Sequence, residues 1–182
     1  MKILCFGDSN TYGYDPRGFG GRYGNEDRWV DRLEMQTGYT AINAGVNGLE
    51  IPRHVLQLQE AVCLLVMLGT NVLLQGATAK EAVARMGCFL TSLLPHYQQT
   101  FLIAPPPMKR GAWVPTDDLV SVSFQLGEEY RLLAEKLNVT FIDARNWNIE
   151  LAFDGVHFTV AGHHIFAEKI SKELLAYCEG AL

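Results

Sequence analysis

The residues whose types and spacing could do chemistry are few and lie far apart in the chain. Ser9 directly follows the apolar run Ile3-Leu4-Cys5-Phe6 and the pair Gly7-Asp8. There a hydroxyl can face a ligand cleft, and neighbouring backbone N–H groups can point at an anion. Asp154 and His157 stand in Asp154-Gly155-Val156-His157, so one short turn can bring a carboxylate to an imidazole nitrogen. Asn71 ends the most apolar run of the chain, and Gly48 sits in Asn47-Gly48. An amide NH2 and an unobstructed backbone N–H are both good donors to a developing oxyanion. Each feature has an ordinary reading when taken alone: a helix cap for the serine, a surface pair for Asp154 and His157, turn residues for Asn71 and Gly48.

The elements that must position these residues alternate in type. Apolar runs of strand length are Lys2 to Phe6, Thr40 to Asn43, Val62 to Leu68, Thr100 to Ala104 and Val139 to Ile142. Val62 to Leu68 is apolar throughout, as a central parallel strand covered on both faces should be. Helical periodicity fills the intervals. It runs over Asp27 to Thr37, with Asp27 as N-cap and Trp29, Val30 and Leu33 on one face. It returns after the capping-box sequence Thr78-Ala79-Lys80-Glu81 as far as Pro95, then from Asp117-Asp118 to Leu137, and from Val160 to Tyr177 behind a Thr159 cap. Strands alternating with helices predict a three-layer α/β/α sandwich around a five-stranded parallel sheet, flavodoxin-like, in one domain over residues 1–182. Ligands in such sheets bind beyond the carboxyl ends of the strands. Ser9, Gly48 and Asn71 all fall at that edge, and the Asp154–His157 pair lies in the loop that returns to it.

Taken in order, Gly7-Asp8-Ser9-Asn10-Thr11, Gly48, Gly69-Thr70-Asn71 and Asp154-Gly155-Val156-His157-Phe158 resemble the four blocks of the SGNH (GDSL) hydrolases. The segments Lys2 to Tyr14, Arg28-Trp29 and Pro105-Pro106-Pro107 look most like the small cytoplasmic aryl esterases and acyltransferases of that family. The resemblance implies Ser9 as nucleophile, His157 as general base and Asp154 as its orienting partner. It also implies the Ser9 N–H, the Gly48 N–H and the Asn71 side chain as the oxyanion hole. The physical logic agrees, because a serine hydroxyl needs an imidazole to take its proton and the imidazole needs an acceptor to fix its tautomer. The implied activity is cleavage of small acyl esters through an acyl-enzyme, with water or an alcohol accepting the acyl group.

Two departures from the family pattern stand out. Val72 occupies the position where an aspartate commonly follows Gly-Thr-Asn, which removes a local cap or turn contact. Leu49-Glu50 follow Gly48 where Arg-Thr is common, so Gly45 is the alternative source of the second oxyanion N–H. Asn10, Phe153 and Phe158 are the candidates for lining the substrate pocket. Of the remaining residues, the glycines between Thr11 and Asn25 predict a mobile loop beside the site, since their spacing is wrong for a dinucleotide cradle. His163 and His164 point about 100° apart on a helix and lack accompanying ligands, so one buried and one solvated side chain is expected rather than a metal site.

Composition excludes several functions. With 15 basic and 20 acidic residues in 182 the net charge is −5, which is no footprint for nucleic acid. The longest apolar run is far short of the roughly 20 residues that span a bilayer, and no export signal is read. Four widely spaced cysteines read as buried free thiols of a reducing cytoplasm. The resemblance implies a small-molecule ester as the partner, with no metal or organic cofactor, and a homo-oligomer is compatible with everything above. Two further functions remain open at this point: deacetylation of a carbohydrate on the same fold, and a non-catalytic flavin-binding module, for which Ser9-Asn10-Thr11-Tyr12-Gly13 loosely resembles a flavodoxin phosphate loop.

Overall fold

The computed structural model describes residues 1–18, 21–54 and 57–180. Chain order gives β1 (Lys2–Gly7), α1 (Ser9–Tyr12), β2 (Tyr14–Asp15), β3 (Gly21–Arg22), α2 (Trp29–Thr37) and β4 (Thr40–Gly45). There follow β5 (Cys63–Met67), α3 (Thr70–Leu74), α4 (Ala79–Leu93), β6 (Gln99–Ala104), α5 (Asp117–Leu137), β7 (Thr140–Asp143) and α6 (Val160–Gly180). The main sheet has the order β4-β1-β5-β6-β7, and every pair in it is parallel. This is the five-strand order of flavodoxin-like sheets, in which β1 and β5 straddle the point where the winding reverses.

Alternation along the strands sends apolar side chains to two cores. Leu4, Phe6, Leu64, Val66 and Leu102 pack under α4 and α5, whereas Ile3, Cys5, Leu65, Met67, Phe101 and Ile103 pack under α2 and α6. Burial on both faces is why β5 is apolar at every position. The expected strand start at Val62 is trimmed, because that side chain is exposed and pairing begins at Cys63.

The local signals of α4, α5 and α6 are realised. Thr78 accepts a hydrogen bond from the Glu81 N–H while the Glu81 carboxylate accepts one from the Thr78 N–H, and Thr159 accepts from the Gly162 N–H at the start of α6. α2 departs from expectation. Arg28, not Asp27, is its N-cap and supplies no side-chain bond. The Trp29 N–H instead donates to Nδ1 of the buried His163 on α6, at 3.4 Å, while Asp27 pairs with His164 at 3.0 Å. The two histidines are thus one buried and one part-exposed side chain. The glycine-rich stretch after α1 also differs from expectation: its described residues form a two-stranded antiparallel ribbon, Tyr14 opposite Arg22 and Asp15 opposite Gly21. Gly20 of that stretch lies outside the described residues.

The thiols are only partly as expected. Cys5 and Cys63 are buried in the sheet, but Cys88 is exposed on α4 and Cys178 is part-exposed on α6. Burial pushes the Cys63 thiol up to about 12, which leaves it without thiolate character.

Candidate active site

β1 carries Ser9 to the carboxyl edge of the sheet. Asp8 stops the strand, and its carboxylate accepts a hydrogen bond from the Asn10 N–H at 3.1 Å, capping α1. That carboxylate is shut off from water, and the burial pushes it up to about 6 in spite of the Asn10 N–H and the nearby His157. α1 lies directly over the end of β4, where a Cβ on Gly45 would stand 2.1 Å from the Tyr12 nitrogen. Gly45 is therefore required for this close approach. Its N–H is already given to the Asn43 side chain at 3.0 Å, which removes it as the alternative oxyanion donor.

The segment between β7 and α6 supplies the second half of the site. Ala152 N–H donates to the His157 carbonyl at 2.7 Å, closing a tight loop around Asp154. One carboxylate oxygen of Asp154 accepts from the Val156 and His157 N–H groups, both at 2.9 Å. The other faces His157 Nδ1 at 2.7 Å. Burial works to raise this carboxyl, but the imidazole and the two backbone donors outweigh it and hold Asp154 below the usual carboxylate range. His157 Nε2 then faces the Ser9 hydroxyl at 3.0 Å. The tautomer that satisfies both contacts carries its proton on Nδ1 and leaves a lone pair toward Ser9. Ser9, His157 and Asp154 are exposed by only 3%, 1% and 1%, so little water dilutes these contacts.

The loop between β6 and α5 holds this segment from outside. Lys109 N–H donates to the Gly155 carbonyl at 2.9 Å, Ala112 N–H to Phe153 at 3.1 Å and Trp113 N–H to Asp154 at 3.0 Å. Gly155 makes the contact possible: its φ is +82°, and a Cβ there would lie 2.0 Å from the Lys109 oxygen. The result sets two aromatic rings against His157. Trp113 meets it edge-on, with centroids 5.0 Å apart, and Tyr14 lies tilted at 4.7 Å. Neither Tyr14 nor Trp113 is singled out by sequence motifs, although the rule that points to strand carboxyl ends also selects the loop after β6 that bears Trp113.

Asn71 lies in the first turn of α3, and its amide donates to the Leu49 carbonyl at 3.0 Å. This ties it to the turn containing Gly48, whose own N–H has no acceptor among the described residues. One amide hydrogen of Asn71 remains for another acceptor. Val72 is buried in the core, and α3 has no side-chain cap because its N-cap residue is Gly69.

The expected pocket residues stand elsewhere. Phe158 is buried against His163 and Phe166, so it belongs to the core beneath the site rather than to its wall. Phe153 projects into solvent beside Asp154, 68% exposed. Asn10 is buried and its amide is bonded to backbone, which corrects its assignment as a pocket residue. Thr11 of the same turn is fully buried. Among the described residues no group of three or more His, Cys, Asp or Glu could hold a metal ion, and no helix is long and apolar enough to cross a membrane.

A hydroxyl, an imidazole and a carboxylate thus stand in series at the carboxyl edge of a flavodoxin-like sheet. The chain belongs to the GDSL-like lipase/acylhydrolase family, which it matches over residues 5–165, and it is accordingly an ester-cleaving hydrolase. Its fold is that of Est24, a carbohydrate acetylesterase from Sinorhizobium meliloti, at 22% identity over 97% of this chain and 99% of that one with a TM-score of 0.83. It is also that of the aryl esterase of M. smegmatis, at 21% identity over 96% and 98% of the two chains with a TM-score of 0.81. No curated protein matches the sequence.

Proposed function

We propose that the protein hydrolyses small, accessible acyl esters through an acyl-enzyme on Ser9. His157 Nε2 takes the hydroxyl proton as Oγ attacks the ester carbonyl carbon. The tetrahedral oxyanion is met by the N–H groups of Ser9 and Gly48 and the remaining amide hydrogen of Asn71. Collapse breaks the bond to the alcohol oxygen, which leaves with the proton held by His157. Water, or an alcohol in acyl transfer, then repeats the sequence on the acyl-enzyme and restores Ser9. Asp154 stays ionised throughout and stabilises the imidazolium that forms transiently. Each oxyanion donor is typically worth about 2.7–4 kcal/mol of barrier.

The observation that carries this reading is the unbroken series Ser9 Oγ, His157 Nε2, His157 Nδ1, Asp154 Oδ2, at 3.0 Å and 2.7 Å. Turnover of p-nitrophenyl acetate tests it. Ser9→Ala should abolish release of nitrophenol, and a fluorophosphonate should label Ser9; turnover undiminished in that variant, or label on another residue, refutes the assignment.

A sugar acetate is the second substrate reading, favoured by the half-exposed indole of Trp113 beside His157, a flat apolar face on which a pyranose ring can rest. A panel of acetylated sugars against aryl and alkyl acetates separates the two by kcat/KM.

A further inference from the structure

Asn10 follows Ser9 in sequence and is 6% exposed. All four of its polar atoms are engaged inside the protein. Its N–H donates to Asp8 at 3.1 Å, and its carbonyl accepts from the Trp29 indole at 3.0 Å. Its side-chain oxygen accepts from the Phe158 N–H at 2.9 Å, and its side-chain NH2 donates to the Val156 carbonyl at 3.1 Å. Val156 and Phe158 are the residues on either side of His157. One amide thus grips the peptide before the imidazole and the peptide after it.

We propose that Asn10 is a positioning residue that sets the separation of Ser9 and His157. This rests on the catalytic reading above and deepens it. Asp154 cannot do this job, because its bonds to Val156 and His157 lie within its own turn and orient the imidazole only relative to that turn. Apart from the Ser9–His157 contact itself, the Asn10 amide makes the hydrogen bonds that join the Ser9–Asn10 turn to the Val156–Phe158 segment among the described residues. The complementarity is specific to an amide, since the gripped groups are one acceptor and one donor. A carboxylate meets only the Phe158 N–H, and an apolar side chain meets neither. The Trp29 indole, itself buried, holds the Asn10 carbonyl and so fixes the direction in which the side chain leaves the turn. Because Asn10 is buried and its side-chain oxygen and nitrogen are both bonded to the backbone flanking His157, it acts on the reaction through His157 and not through substrate.

The test is steady-state hydrolysis of p-nitrophenyl acetate by Asn10→Ala and Asn10→Asp, with Ser9→Ala in the same assay. Asn10→Ala should lower kcat by about 10²-fold, the usual consequence of displacing a reacting group by about 1 Å, with KM within about twofold of the parent. Asn10→Asp keeps the shape and one of the two bonds and should fall between; it also supplies the measurement should Asn10→Ala fail to fold. In a His157→Ala background, Asn10→Ala should cost less than about twofold, because residues that act as a unit are non-additive. Either an undiminished effect in that background or parental kcat in Asn10→Ala overturns the proposal. Full turnover by Ser9→Ala overturns instead the reading on which it depends.

Discussion

The Ser9 hydroxyl and Nε2 of His157 stand 3.0 Å apart across a separation of 148 residues. Contact at this distance allows direct proton transfer between the two. Under the proposed mechanism they act as one functional unit, so their removal should not be additive. Ser9→Ala and His157→Ala should each lower kcat for p-nitrophenyl acetate by more than about 10⁴-fold, and the double variant should be no slower than the worse single one. Kinetics that multiply across the pair contradict the relation.

Buried carboxylates on the two sides of this contact should respond to pH in opposite directions. Burial raises Asp8 to about 6, so between its ordinary value of 3.8 and that point the folded state holds a proton the unfolded chain has lost. Stability from this group is therefore full below pH 3.8 and is lost as pH rises to about 6. Asn at this position keeps the oxygen that caps α1 but carries no charge. Asp8→Asn should stabilise the protein by up to about 3 kcal/mol above pH 6 and by almost nothing near pH 4, as read by urea unfolding at the two values. Asp154, held below its ordinary value, contributes stability above pH 3.8 that is lost as pH falls through its lower folded value. A gain from Asp8→Asn that is the same at both pH values counts against a buried ionised carboxylate.

Gly155 permits the β6–α5 loop to reach the Asp154 segment. Gly155→Ala must leave the left-handed region and move a Cβ away from the Lys109 oxygen, 2.0 Å from where it would sit. We expect a loss of about 3 kcal/mol in chemical unfolding, together with weakened hydrolysis because the Trp113–Asp154 hydrogen bond adjoins the disturbed Lys109–Gly155 contact. Unchanged stability shows that the loop contact yields at no cost.

Trp113 is half exposed, with its indole near perpendicular to the His157 ring. Under the proposed mechanism its exposed face meets the alcohol part of the ester. Trp113→Ala should raise KM for p-nitrophenyl acetate by roughly three- to tenfold, the scale of one aromatic contact, with a smaller change in kcat. A kcat effect at constant KM instead assigns the indole to holding His157.

Much of this architecture was legible in residue order because its causes are local. The wholly apolar β5, the capping box before α4, the Thr159 cap of α6 and the strand-end positions of Ser9, Gly48 and Asn71 depend on residues within a few places of one another. Asp154 and His157 belong with them, since their pairing spans one turn. Tertiary contacts decided the rest. The cap of α2 comes from His163 on another helix, Tyr14–Asp15 pair with Gly21–Arg22 as a short ribbon within the glycine-rich stretch, and the rings beside His157 are Tyr14 and Trp113 rather than Phe158. Asn10 shows the reason most plainly. Its identity says that an amide follows the serine, but its two partners are backbone groups of a segment that arrives from the far end of the chain. Every residue has such backbone groups, so no residue type announces which of them an amide will meet. Propensity and periodicity act over a few residues, whereas the placing of one segment on another is settled only when both cores close around the sheet.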